Sequence, residues 1–440
     1  MDNKMGTEKM SKLILTTGVP LMLSLLINSL YNFVDSIFVS RIAEEALTAI
    51  SLSAPIQMFV SALGLGNAVG LNAAISKALG EKNDKKVTEV AGAAIFVAVC
   101  EWIFISFVCL IGVRWYFDWQ SGGNDIIAKY GCDYLSICML LSLGQMGQWV
   151  FDRFVIASGK SHLFLFTLSA ASITNILLDP IFIFVFNLGT MGAAIATVIG
   201  QFVGALAGIY INRRWNREIP FFFTLHPNIS SIKDIIRVGF PSTLVQVVTG
   251  FVNIAMNTIL QEFSTTAIAV FGVCCRMQGI CTVAVHGINN GIIPIVAYNY
   301  GAKMKSRVSE SIRYAIIDSV ILYIPLLMIL MVFPDKVMLL FHASKTMTEI
   351  GEAAVRIFAL VWLISIPNLV ISSALQGLSR ANSSMLLTML RQAVLPLLLA
   401  FAVSKMGQVN LIWSVFVIAE LIVIYPAVVI WKHDLKQAFD

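Results

Sequence analysis

Long apolar runs separated by short polar connections fill this chain. They lie near 13–39, 48–76, 88–112, 128–157, 162–186, 190–212, 234–261, 266–296, 309–333, 347–377, 383–404 and 409–431. Each meets or exceeds the roughly 20 apolar residues that a helix needs to cross a hydrocarbon layer. Lipid gives backbone N–H and C=O groups no partner, so a spanning run of this kind must be a helix. The pattern predicts an all-α membrane protein with twelve transmembrane helices. Pro20, Pro55, Pro180, Pro241, Pro294, Pro325, Pro367 and Pro396 fall inside the runs and mark candidate bends. Gly18-Val19-Pro20 also reads as a helix start.

Composition agrees with the pattern. Of 440 residues, 58% are hydrophobic and 12% charged. A soluble domain carries about 25% charge, so half of that cannot cover a water-facing surface. The net charge of +5 comes from short basic clusters in connections, which argues against nucleic acid as a partner. Most of the 30 basic residues fall on one side if the N-terminus is inside, among them Lys82, Lys85, Lys86, Arg213, Arg214, Arg217, Lys303, Lys305, Arg307 and Arg313. Such asymmetry predicts an inner-membrane protein with both termini in the cytoplasm. Residues 1–11 lack a cleavable signal pattern, so entry through the first helix is expected. The cysteines, Cys100, Cys109, Cys132, Cys138, Cys274, Cys275 and Cys281, sit in apolar runs without metal-ligand spacing and read as small buried hydrophobes.

The chain repeats itself. Shifted by 221 residues, 13–95 aligns with 234–316 without a gap: Gly18 and Pro20 meet Gly239 and Pro241, Asn32 meets Asn253, and Gln57 meets Gln278. Gly66, Gly70, Gly80 and Lys82 meet Gly287, Gly291, Gly301 and Lys303. Six helices separate the copies, so both halves share one orientation as parallel repeats. The expected organisation is a first six-helix bundle over 1–212, a polar cytoplasmic linker over 213–232 and a second bundle over 233–440. Parallel repeats of this kind place a cavity between two lobes whose rocking exposes it to alternate sides.

An ionisable side chain at membrane depth costs about 2.5–3.5 kcal/mol, so each is a functional candidate. The deep carboxylates read as Asp35, Glu101, Asp133, Asp179, Asp318 and Glu420. Tyr31 and Asp35 are four apart on helix 1 and share a face, as do Asn175 and Asp179 on helix 5. The plainer alternatives are that Asp179 serves local geometry before Pro180 and that Asp35 is solvated at a helix end. Glu101 precedes Trp102 and reads as packed. Gly66-x-x-x-Gly70 and Gly287-x-x-x-Gly291 read as close-packing motifs.

Several stretches together resemble the multidrug and toxic compound extrusion (MATE) family over nearly the whole chain. They are Asn32-Phe33-Val34-Asp35, Asn175 through Phe184, Gly192 through Thr197, and Pro294 through Gly301. The last stretch and the mid-chain connection resemble the bacterial MepA-like branch, and the acid pattern the DinF-like type. The resemblance implies two pseudo-symmetric six-helix bundles in a V and export of lipophilic organic cations in exchange for H⁺ or Na⁺. It also implies an ion site from Tyr31, Asp35, Asn175, Asp179 and Thr197. Asp35, Asp179, Asn175 and Thr197 would supply the oxygens for Na⁺. Two carboxylates in a dry cavity repel each other and need a shared proton or a cation between them. The sodium-coupled NorM-like branch carries acids in helices 7 and 10, where this chain has Met256, Ser372 and Ser373 with Glu262 only at a helix end; a carboxylate ion site there is not expected.

Gln57, Gln278, Asn32, Asn253, Met256 and Arg276 are the candidate substrate-contacting residues. Arg276 also has a structural alternative, an ion pair with an acid such as Glu420. Met139, Met146, Trp149 and Met277 either line a pliable cavity or pack the core. A flippase for a lipid-linked oligosaccharide or another amphipathic metabolite is the alternative function. It is disfavoured because Arg276 stands as the deep basic residue. An enzyme is not expected: His162, His226, His286, His342 and His433 are scattered, and no acid-rich metal loop is present. No cofactor beyond the coupling ion is called for, the partners are small lipophilic cations and the bilayer, and a single chain suffices.

Overall fold

The computed structural model describes residues 4–121, 123–341, 345–405 and 409–440; side chains at 32, 33, 36, 40, 44, 47, 265, 409 and 410 lie outside that description. The described chain is helical. In order the helices are α1 (Lys4–Thr7), α2 (Met10–Ser40), α3 (Glu44–Gly80), α4 (Asp84–Gln120), α5 (Asp125–Leu140), α6 (Leu143–Ala157), α7 (His162–Pro180) and α8 (Gly189–Trp215). After a connection come α9 (Ile229–Gln261), α10 (Thr265–Cys281), α11 (Val283–Gly301), α12 (Lys305–Val332), α13 (Pro334–Leu340), α14 (Lys345–Gly377), α15 (Ala381–Met389), α16 (Leu395–Ser404) and α17 (Val409–Phe439).

Among the described residues ten helical segments are long and apolar enough to span a bilayer, and two bent pairs bring the number to as many as twelve. The expected continuous runs 128–157 and 266–296 are those pairs: α5 and α6 meet at 45°, α10 and α11 at 52°. Neither break is at a proline. Thr282 Oγ1 donates to Gln278 O at 2.6 Å, a back-bond that competes with the ladder and bends a helix. At the other break Ser142 N reaches Met139 O at 3.3 Å, tightening the turn. Gly18 and Pro20 lie inside α2 rather than at a helix start. Directly after Pro180, which has no N–H, the chain widens into a π-helical turn, Ile181–Val185. A second, Leu390–Val394, joins α15 to α16.

The chain divides into two compact units: Leu23–Thr243, and Asp2–Met22 with Leu244–Asp440. In the first unit α3 packs on the start of α9. A Cβ on Gly66 would sit 2.8 Å from Gly239 O, and one on Gly70 2.9 Å from Gly239 N, so these glycines let two backbones touch. Thr243 Oγ1 bonds Ala62 O at 3.1 Å, and Lys86 pairs with Asp234 at 2.9 Å. The connection before α9 is packed, with Phe221 against Phe151 (5.1 Å) and Phe154 (5.8 Å).

The second unit repeats the arrangement with the start of α2 in the role of the start of α9. A Cβ on Gly287 would meet Met22 N at 2.7 Å, and one on Gly291 would lie 3.5 Å from Gly18 Cα. Arg307 Nη2 holds Met5 O at 3.0 Å and Glu8 O at 2.9 Å. Its core gathers Met256, Tyr323, Phe358, Trp362 and Trp413. Lys82 and Lys303, 221 residues apart, end their helices with positive φ of 54° and 58°.

Candidate functional site

Within the first unit α2, α3, α5, α6, α7 and α8 enclose a cavity of about 610 Å³. Tyr31 and Asp35 reach it from α2, Asn175 from α7 and Thr197 from α8. Asp179, one turn beyond Asn175, is fully buried. Asn175 Nδ2 lies 3.2 Å from Asp179 Oδ1 and 3.3 Å from Thr197 Oγ1, so one amide spans both. The carboxyl groups of Asp35 and Asp179 stand side by side, and the Tyr31 hydroxyl is in hydrogen-bonding reach of Thr197. All five residues expected to form an ion site therefore gather at one place.

The electrostatics of the cluster are unbalanced. Asp35 Oδ1, Asn175 Oδ1 and Asp179 Oδ2 are buried without a hydrogen-bond donor. A buried acceptor left unsatisfied costs about 1–3 kcal/mol, more when charged. Three oxygens from three side chains, two of them carboxylates, are the donor set that a proton or a hard monovalent cation satisfies.

Gln57 lines the same cavity and reaches the side chain of Tyr134. Met139 and Trp149 also line it, whereas Met146 and Met277 are packed in cores. Of the other candidate substrate contacts, those described belong to the second unit. Met256, at the repeat position of Asp35, is fully buried in the core of the second unit. Asn253, Arg276 and Gln278 are exposed on their unit, and the side chain of Asn32 lies outside the described residues. Glu101 accepts from Asn67 Nδ2 at 3.3 Å.

Two expectations are corrected. Glu420 does not pair with Arg276; its partner is Arg391, Nη1 to Oε1 at 2.7 Å, both side chains buried. Asn368 Nδ2 adds a bond to Glu420 Oε2 at 2.8 Å. Arg276 is therefore not the main deep base. Arg391 was not among the sequence candidates; it sits in the π-helical turn Leu390–Val394, buried against Glu420. Asp152 was also missed. It is 3% exposed, lines the cavity, and has the Thr167 hydroxyl 2.5 Å from Oδ1. The signal that could have found it is an acid inside the 128–157 run.

Comparison with known proteins bears on the family and the fold. The MatE family model matches residues 20–181 and again 241–402; the two matches start and end 221 residues apart, the offset of the repeat. The multidrug export protein MepA of Staphylococcus aureus (strain N315) is 22% identical over 424 residues, covering 96% of this chain and 93% of that one. Two solved structures share the fold. An outward-facing multidrug resistance MATE transporter of the MOP superfamily superposes with TM-score 0.92 at 22% identity, covering 99% of this chain and 98% of that one. A MOP superfamily transporter from Pyrococcus furiosus gives 0.91 with the same identity and coverage. The chain belongs to the MatE family of multidrug efflux transporters and is a multi-pass membrane protein.

Proposed function

We propose that this MatE-family transporter is a secondary antiporter that expels lipophilic organic cations from the cytoplasm in exchange for H⁺ or Na⁺ held between Asp35 and Asp179. It works as a single chain in the cytoplasmic membrane with both termini inside. The observation that carries the reading is the set of donor-less buried oxygens on Asp35, Asn175 and Asp179. Two full charges roughly 4 Å apart repel by about 4 kcal/mol at an effective dielectric near 20. A proton or Na⁺ removes that repulsion, and losing it restores it. Loading and unloading thus change how tightly α2 packs on α7 and α8. That gives two states whose balance an ion gradient can bias. The MepA relative, a multidrug export protein, supports the export half of the reading.

The test is ethidium efflux from vesicles with an imposed pH or Na⁺ gradient. Asp35→Asn and Asp179→Asn each remove a charge with little change of shape. The expected result is loss of gradient-driven efflux, about tenfold or more, with normal membrane insertion. Efflux at wild-type rates in both variants would overturn the assignment.

A further inference from the structure

We infer that Asp152 is a second station on the coupling ion's route, joining the Asp35–Asp179 pair to the membrane face where α6 ends. The inference rests on the antiport reading and extends it to the ion's path. Asp152 and Asp35 line one cavity. Thr167, which bonds Asp152, and Asn175, which bonds Asp179, are both on α7 and eight residues apart. At 1.5 Å per residue the two acidic stations are about 12 Å apart along the helix.

Polar side chains are spaced along the wall between them, Gln145, Gln148 and Arg153 from α6, Ser172 and Asn175 from α7, and Gln201 from α8, among apolar ones such as Trp149 and Leu168. At about 30 Å³ per water, the cavity has room for roughly twenty waters, enough for a hydrated route. Asp152 is five residues before Ala157, the last residue of α6, or about 7.5 Å from its end. Beyond lies the polar turn Ser158–Lys160. The charged group beside Asp152 is Arg153 on its own helix, which also lines the cavity; α7 presents the Thr167 hydroxyl and α8 the neutral Gln201. A buried acid with one hydroxyl bond, on a cavity lined at intervals by amides and hydroxyls, is placed to take up and pass on a cation. An acid that only tied α6 to α7 would not need the cavity.

Sidedness separates the two roles. Purified protein is reconstituted into vesicles of known orientation, and ethidium exchange is measured as H⁺ or Na⁺ is varied on each face. Asp152→Asn should slow coupled exchange about tenfold when the ion must leave at the Lys160 face. Ion dependence from the opposite face should stay within about twofold, and Asp152→Glu should restore most of the rate. Thr167→Val removes the tie but keeps the acid, and should stay within about threefold of wild type. Asp152→Asn at the wild-type rate, or equal and unsided losses in Asp152→Asn and Thr167→Val, would overturn the inference. Wild-type efflux in Asp35→Asn and Asp179→Asn is a separate result, which would sink the antiport reading itself.

Discussion

Replacing Glu420 with Leu should destabilise the second unit severely, and replacing Arg391 with Met at the same time should rescue it. Arg391 Nη1 and Glu420 Oε1 are 2.7 Å apart, with side chains 6% and 7% exposed. Asn368 Nδ2 bonds both Oε2 (2.8 Å) and the Glu420 carbonyl (3.0 Å). Arg391 Nε already has no acceptor, so without Glu420 the guanidinium is a buried charge with no acid paired to it among the described residues. Removing one partner of a buried pair costs about 3–5 kcal/mol, while replacing both with apolar residues of similar size is often neutral or better. An ordinary interhelical hydrogen bond in a membrane averages only about 0.6 kcal/mol, so a loss of 3 or more identifies a desolvated charge. The assay is denaturant-induced unfolding in mixed micelles for both single variants and the double variant. The expected double variant lies within about 2 kcal/mol of wild type, giving a coupling energy of several kcal/mol. Single losses below about 1 kcal/mol, or a double loss equal to the sum of the singles, would refute the reasoning. Arg276→Ala, at an exposed position, should change stability by less than about 0.5 kcal/mol.

Two further outcomes are expected in the same denaturant titrations. Gly66→Ala and Gly287→Ala place a Cβ 2.8 Å from Gly239 O and 2.7 Å from Met22 N and should each cost about 1–3 kcal/mol. Gly112→Ala, where a Cβ meets nothing within 4 Å, should be neutral or gain up to about 1 kcal/mol; equal effects at all three sites would contradict the packing. Lys303→Gly should gain about 1 kcal/mol by relieving a left-handed residue at φ 58°, and a loss would show that the lysine side chain holds that helix end.

Much of the fold was legible because a membrane leaves few options. Apolar run length fixed the spans, and the ungapped repeat foretold that Gly66–Gly70 and Gly287–Gly291 would make matching close contacts. The helix breaks at residues 141–142 and Thr282 were not legible: hydropathy registers an apolar run, not the back-bond that bends it. That Tyr31, Asp35, Asn175, Asp179 and Thr197 lie together was readable from i, i+4 spacing on two helices plus the family pattern at Thr197. The neighbours of charged residues were harder. Asp152 sits six residues before the polar turn at Ser158 and Arg391 in the middle of its run, and only the turn of the helix decides whether such a side chain faces the interior. The pairing of Glu420 with Arg391 rather than Arg276 follows from which faces of the last two spans meet, and sequence spacing does not encode that.

The central claim is that an ion held by Asp35 and Asp179 and an exported cation exclude each other. Linkage then requires that binding the exported cation expel the ion. The most direct measurement titrates purified protein in micelles with tetraphenylphosphonium, in weakly buffered solution with and without Na⁺, following released protons and Na⁺. Wild type is predicted to release about one H⁺ or Na⁺ per cation bound, and Asp35→Asn and Asp179→Asn none. Cation binding by the wild type with no release of either ion, or unchanged release in both variants, would contradict the account.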